Sequence, residues 1–279
     1  MDRTLWPRLS WRLLLYWAVL LGSVWAFAEL TDEVYEQEGF FFDEPVLGWF
    51  YGLITPLRTR VALALSTVGG VEVMVGLTAL ITLLLWFRSR REAVFFAASM
   101  VGASAIMGLT KVLLARPRPE LFPDVDLWQT GSSSFPSGHA TGSAALALTL
   151  YLVVSRLAPR WRALAAVLGL AFALSVSASR LYLQVHYPSD VLAGLALGCA
   201  WVLGVNALYR YASRDRSRRS VRLTLPHEVV AAYRQDAAAR GLSDDEVVGA
   251  VLAAHYALTR GEEAPHRAPS ARVDVFKSP

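Results

Sequence analysis

Ser179 to Tyr211, SRLYLQVHYPSDVLAGLALGCAWVLGVNALYRY, joins a polar cluster to a long apolar run. The run from Val191 to Tyr211 meets the length of about 20 residues that a helix needs to cross a bilayer. Pro188 suits the first turn of that helix, where its fixed φ and missing N–H cost nothing. His186 and Asp190 stand on either side of it. A carboxylate so close can fix the imidazole tautomer and stabilise its charged form; the pair could equally cap the helix. Ionisable groups at the edge of a bilayer persist where they meet water, a partner or a ligand.

Two other clusters share that placement. Lys111 to Pro119 (KVLLARPRP) ends one apolar stretch, and Pro136 to His139 (PSGH) begins another. Pro117 and Pro119 stop the helix and stiffen the loop, so Arg118 can fold back toward Lys111. Basic residues at helix ends also reach for lipid headgroups. Both readings stand for Lys111, and the headgroup reading is the expectation for Arg116. Ser137, Gly138 and His139 read as a helix start whose N–H groups could hold an anion, or as ordinary capping residues. Three polar clusters at one depth point to a single anion-handling site.

Composition agrees with a membrane protein. Of 279 residues, 54% are hydrophobic and only 18% charged, and mean hydropathy is +0.39. Soluble domains carry about 25% charged residues. The net charge of +4 is modest, and the basic residues sit between apolar segments, so nucleic acid is not an expected partner. The single cysteine, Cys199, lies in an apolar run. It excludes an intrachain disulfide and reads as a helix-packing residue.

Six apolar stretches predict an all-α, six-span bundle: Leu13–Leu30, Val71–Phe87, Ala93–Leu114, Ala140–Leu157, Leu164–Ser179 and Val191–Tyr211. The first reads as a retained span, since no small-residue cleavage site precedes Glu29. An acidic, aromatic segment follows it. Val46 to Val68 reads either as an interfacial helix or as part of a longer second span. Arginines at 3, 8 and 12, at 88, 90 and 91, at 156, 160 and 162, and from 210 to 219 alternate with the polar clusters along the chain. The positive-inside rule puts the arginines and both termini in the cytoplasm, and the clusters on the outer face of a multi-pass protein of the cell membrane.

Residues 1–211 thus form a membrane domain, followed by a basic linker at 212–219. Residues 220–260 change character. Val221, Leu223 and Leu225 alternate as in a strand. His227 to Arg240 is amphipathic, and Ser243 with Glu246 forms a capping box. This strand–helix–helix order resembles the ribbon-helix-helix fold, which implies a small cytoplasmic module that pairs two copies of the chain into a homodimer. The end, 261–279, has the composition of a disordered tail.

Metal-free cleavage of a phosphate ester needs a nucleophile, an acid for the leaving oxygen and cations for the nonbridging oxygens. The clusters hold residue types for each. Their ordered spacing, K-x6-RP, PSGH and SR-x5-H-x3-D, resembles the signature of the type 2 phosphatidic acid phosphatase family, whose superfamily includes bacterial acid phosphatases and vanadium haloperoxidases. The likeness spans roughly Leu65 to Leu208. It implies that His186 attacks phosphorus, that Asp190 orients it, and that His139 serves as acid and then base. It also implies that Lys111, Arg118, Ser137, Gly138 and Arg180 hold the phosphoryl group, with no metal and no cofactor.

The expected substrate is a lipid phosphate or diphosphate of the bilayer. Undecaprenyl diphosphate, phosphatidylglycerophosphate and phosphatidic acid are the main alternatives. Two other readings are weighed: a vanadate-dependent haloperoxidase, disfavoured by six spans, and a lipid-binding sensor with a dimerising tail, disfavoured by the intact His139, His186 and Asp190.

Overall fold

The computed structural model describes residues 11–37, 39–121 and 133–218. Among these residues eight α-helices follow one another: α1 (Trp11–Tyr35), α2 (Asp43–Tyr51), α3 (Pro56–Val68), α4 (Val71–Arg88), α5 (Arg90–Leu114), α6 (Gly138–Leu157), α7 (Arg162–Tyr182) and α8 (Pro188–Arg218). A single 3-10 turn, Pro159–Trp161, precedes α7. No strand occurs among the described residues, and six helices are long and apolar enough to cross a membrane. The all-α expectation holds there; the strand–helix–helix expectation for 220–260 lies outside the described residues. The chain divides into two compact units, Met1–Ala207 and Leu208–Pro279.

Local chemistry explains most boundaries. Ser89 alone separates α4 from α5, and its hydroxyl accepts the Glu92 N–H at 3.5 Å, a weak N-cap. Thr55 caps α3 in the same way, with Pro56 at the first helical position. Pro188 opens α8, as its sequence position predicts.

Two expectations change. The first helix does not stop at Leu30; it runs on to Tyr35 and takes Glu29, Asp32 and Glu33 into its last turns. Glutamate is a good helix former in water, so the end of the apolar run marks the bilayer edge rather than the helix end. Val46 to Val68 is not an extension of the second span. It holds most of α2 and all of α3, with a non-helical break at Gly52–Thr55 between them and Gly69–Gly70 before α4.

Helix α6 is central, with α5 and α7 packed beside it and α4 beside α5. Its first buried positions are small, Ala140, Thr141, Ser143, Ala144 and Ala145, with Leu146, Thr149 and Val153 buried farther along. Helix α8 comes close to it at two glycines four residues apart. A Cβ on Gly194 would lie 2.6 Å from the Ser137 carbonyl oxygen, and one on Gly198 would lie 2.7 Å from that of Thr141. Small residues at that spacing let helix backbones approach where the hydrophobic effect gives no drive.

Short connections make α4 antiparallel to α5, α6 to α7 and α7 to α8, so the ends segregate. The α4–α5 and α6–α7 junctions share one end, with Arg88, Arg90, Arg160 and Arg162. The C-termini of α5 and α7 and the N-termini of α6 and α8 share the other. Arg156, grouped by sequence with the loop arginines, turns inward instead. It pairs with buried Glu92 at 2.8 Å and lies 4.4 Å from the Phe95 ring centre.

Candidate active site

The end opposite the arginine loops gathers all three polar clusters. Lys111 comes from the last turn of α5, Gly138 and His139 from the first turn of α6, Arg180 from the last turn of α7, and Asp190 from the first turn of α8. Arg118 and His186 come from the connections. Lys111, Arg118, Gly138, His139, Arg180 and His186 line one cavity of about 1070 Å³. Six of the eight residues singled out by sequence therefore face a shared space.

His186 is buried, and its Nδ1 faces Asp190 Oδ2 at 3.5 Å. That is an ion-pair distance, longer than a good hydrogen bond. It leaves Nε2 as the ring atom for a reaction partner. Burial pushes the imidazole down to about 4, against the pull of Asp190. At neutral pH the ring is therefore uncharged, with a lone pair to give. Asp190 is fully buried, and its Oδ2 also accepts the Tyr187 N–H at 2.8 Å.

His139 is held by a residue outside the three clusters. Its Nε2 lies 3.0 Å from the carbonyl oxygen of Ser66, near the end of α3. A carbonyl only accepts, so Nε2 carries the proton and Nδ1 is left to exchange one. The Ser66 hydroxyl accepts from Arg180. One α3 residue thus orients an imidazole and a guanidinium. The close approach requires Gly69, where a Cβ would stand 2.4 Å from Val176 Cγ1 and 3.3 Å from His139 Cδ2. A Ser-Thr-Val-Gly-Gly helix end is the only sequence signal, and it reads as a helix stop.

The other cations are tethered through backbone. Lys111 Nζ donates to the Ser133 carbonyl, and Arg118 donates to the Val185 carbonyl at 3.1 Å. Burial lowers the Arg118 pKa, with Asp190 opposing; an arginine stays charged regardless. Ser137 sits differently from the other predicted holders. It is fully buried, its N–H donates to the Asp190 carbonyl at 3.0 Å, and its hydroxyl has no partner among the described residues. Its N–H is thus committed to tying α6 to α8, and Gly138 and His139 present the helix N-terminus to the cavity.

Arg116 does not reach for headgroups. It turns into the protein, where it pairs with Asp190 Oδ1 at 2.6 Å and with Asp43 Oδ2 at 3.0 Å. It also donates to Ser189 Oγ at 2.8 Å and lies 4.2 Å from the Tyr187 ring centre. Two buried carboxylates draw it inward, because removing it would leave buried negative charge uncompensated.

A profile of the PAP2 superfamily matches residues 92–214. The decaprenylphosphoryl-5-phosphoribose phosphatase of Mycobacterium tuberculosis is 36% identical over 134 residues, which are 47% of this chain and 69% of that protein. The chain belongs to the PAP2 superfamily. The undecaprenyl-diphosphatase of Sulfolobus acidocaldarius is 35% identical over 141 residues, 50% of this chain and 64% of that one. The chain thus spans just under two thirds of that relative's length. A transmembrane PAP2-type phosphatidylglycerolphosphate phosphatase from Bacillus subtilis shares the fold, with a TM-score of 0.62 at 22% identity over 70% of this chain and 97% of that one. With six apolar helices and membrane-type PAP2 relatives, the protein is a multi-pass membrane protein. The PAP2 match begins at Glu92, so Asp43 and Ser66 reach the site from helices that precede it.

Proposed function

We propose that this protein hydrolyses a lipid phosphate or diphosphate, without a metal, through a phosphohistidine intermediate. The observation that carries this reading is the two-ended shape of the cavity. At one end stand Lys111, Arg118, Arg180, His139 and His186; from there it continues between α4 and α5 past Met74, Val75, Ala79, Leu83 and Trp86. Val71 to Trp86 along α4 is about 22 Å of helix rise, most of a hydrocarbon core about 30 Å thick. A soluble ester has no use for such a groove, whereas a lipid can lay its tail along it with the phosphate at the cations.

The geometry supports the following steps. His186 Nε2 attacks phosphorus, forming a P–N bond as the P–O bond to the leaving group breaks. Asp190 steadies the positive charge that grows on the ring. His139, carrying protons on both nitrogens once the anionic substrate is bound, gives the Nδ1 proton to the leaving oxygen while its Nε2–H stays on the Ser66 carbonyl. It then takes a proton from a water whose oxygen attacks the phosphohistidine, and the P–N bond breaks to release phosphate and neutral His186. Lys111, Arg118 and Arg180, with the Gly138 N–H, hold the nonbridging oxygens through both steps. Ser137 lies behind them as support.

Polyprenyl diphosphates are the first choice of substrate, since two relatives bear the names of polyprenyl-lipid phosphatases. Glycerophospholipid phosphates are the second. The reaction runs on the outer face of the membrane, with the arginine-bearing loops and both termini inside. The C-terminal module is read as a pairing device between copies.

Purified protein should release phosphate from a panel of lipid mono- and diphosphates in excess chelator, and vanadate should inhibit it. His186→Ala should abolish turnover. Full activity in that variant removes the proposed nucleophile, and activity that requires an added divalent ion removes the metal-free mechanism.

A further inference from the structure

Between the connection that carries His186 and the short helix α2 lies a cluster of charges that the chemistry above does not use. Asp43, in the first turn of α2, is 3% exposed. Its Oδ1 accepts the Ser189 N–H at 2.8 Å, and its Oδ2 accepts the Ser189 hydroxyl at 2.6 Å and Arg116 at 3.0 Å. Farther along α2, the Leu47 carbonyl accepts Gln184 Nε2 at 3.2 Å. Gln184 itself holds a left-handed backbone, φ 55°, which a non-glycine residue adopts at a cost. Helix α2 thus grips the His186 connection two residues before the histidine and three residues after it. Neither Asp43 nor Arg116 lines the cavity, so neither is placed to touch a phosphate.

The charges have an order: Asp43, Arg116, Asp190, His186. A guanidinium paired with Asp190 alone would cancel much of the negative charge that the imidazolium needs. A second carboxylate on the same guanidinium restores it, leaving the trio with net −1. We propose that Asp43 and Arg116 are positioning residues for His186, with α2 clamping the nucleophile's connection and Asp43 keeping Arg116 from neutralising Asp190. This rests on the reading of His186 as nucleophile.

The test uses the full chain in lipid micelles, with kcat, KM and the acid limb of kcat/KM recorded for five proteins. His186→Ala separates the two levels: activity there overturns the phosphatase mechanism itself. With His186→Ala inactive, Asp43→Asn is expected to lower kcat about tenfold or more, the equivalent of one pKa unit or beyond, and to leave KM within about twofold. Its acid limb should move to lower pH, because loss of a nearby negative charge makes protonated His186 harder to form. The other groups facing His186 are Asp190 from α8, Arg180 from α7, Lys111 from α5 and His139 from α6, and all are unchanged in this variant. Arg116→Lys keeps the charge but not the planar fork, and should also lose kcat rather than KM. Glu44→Gln, on the exposed side of α2, should match wild type. A folded Asp43→Asn with wild-type kcat and acid limb overturns the proposal, as does a loss confined to KM. If Asp43→Asn does not fold, a wild-type kcat in Arg116→Lys overturns it. Failure of both to fold does so too, because the cluster then serves stability alone.

Discussion

Ser66 has two duties that a single substitution can separate. Its carbonyl orients His139, and its hydroxyl accepts from Arg180. Ser66→Ala keeps the carbonyl and removes the hydroxyl. A hydrogen bond to a charged group is worth about 1.5–3 kcal/mol, and part of that holds the guanidinium over the phosphate. The expected outcome is weaker vanadate inhibition and a KM raised roughly three- to tenfold, with the basic limb of the pH profile in place because His139 keeps its carbonyl partner. An unchanged vanadate affinity would remove Arg180 from the phosphate site. At this scale the proposed site was readable wherever its groups lie in local patterns: His186 and Asp190 are four positions apart, and Gly138 and His139 begin a helix. Ser66 and Asp43 were not readable, because each acts through a partner more than 70 positions away. Arg116 was misread for a related reason. Its neighbours in sequence are apolar residues and prolines, and the carboxylates that draw it inward belong to other helices.

Helix α3 is placed by contact at its ends. Thr55 N–H donates to the Tyr182 hydroxyl at 2.9 Å at one end, and Gly69 lies against Val176 at the other. Both partners belong to α7, so α3 and α7 carry Ser66 and Arg180 as a rigid pair. Gly69→Ala forces Val176 or the backbone to move, an overpacking cost of about 1–3 kcal/mol. The double variant Gly69→Ala, Val176→Ala should recover much of that loss in thermal melting. Equal melting points for wild type and Gly69→Ala would mean that the contact is slack. Apolar run lengths revealed the six long helices, since a bilayer sets a minimum span. The same criterion could not reveal α2 and α3, whose length is decided by what they cover and not by membrane thickness. Nor could it end α1, where acidic residues leave the bilayer without leaving the helix.

At the scale of the whole molecule, the arginine-bearing junctions and the proposed catalytic groups occupy opposite ends of the bundle. The positive-inside rule then predicts that Glu120→Cys, beside Arg118 on the exposed surface, reacts with a membrane-impermeant maleimide from outside intact cells. Labelling only after lysis would reverse the orientation. Alternation of basic and polar clusters made the separation of the two ends legible before any helix was placed. The groove between α4 and α5 was not legible, because a lining of Met, Val, Ala and Leu reads the same whether it faces lipid, protein or substrate. If that groove holds the proposed lipid, it also sets the quantity to which turnover responds. A substrate whose tail stays at bilayer depth is never dissolved in the surrounding water, so its effective concentration is a surface density. Diluting the membrane with inert lipid slows the encounter, whereas adding buffer does not. Turnover then counts neighbours in two dimensions.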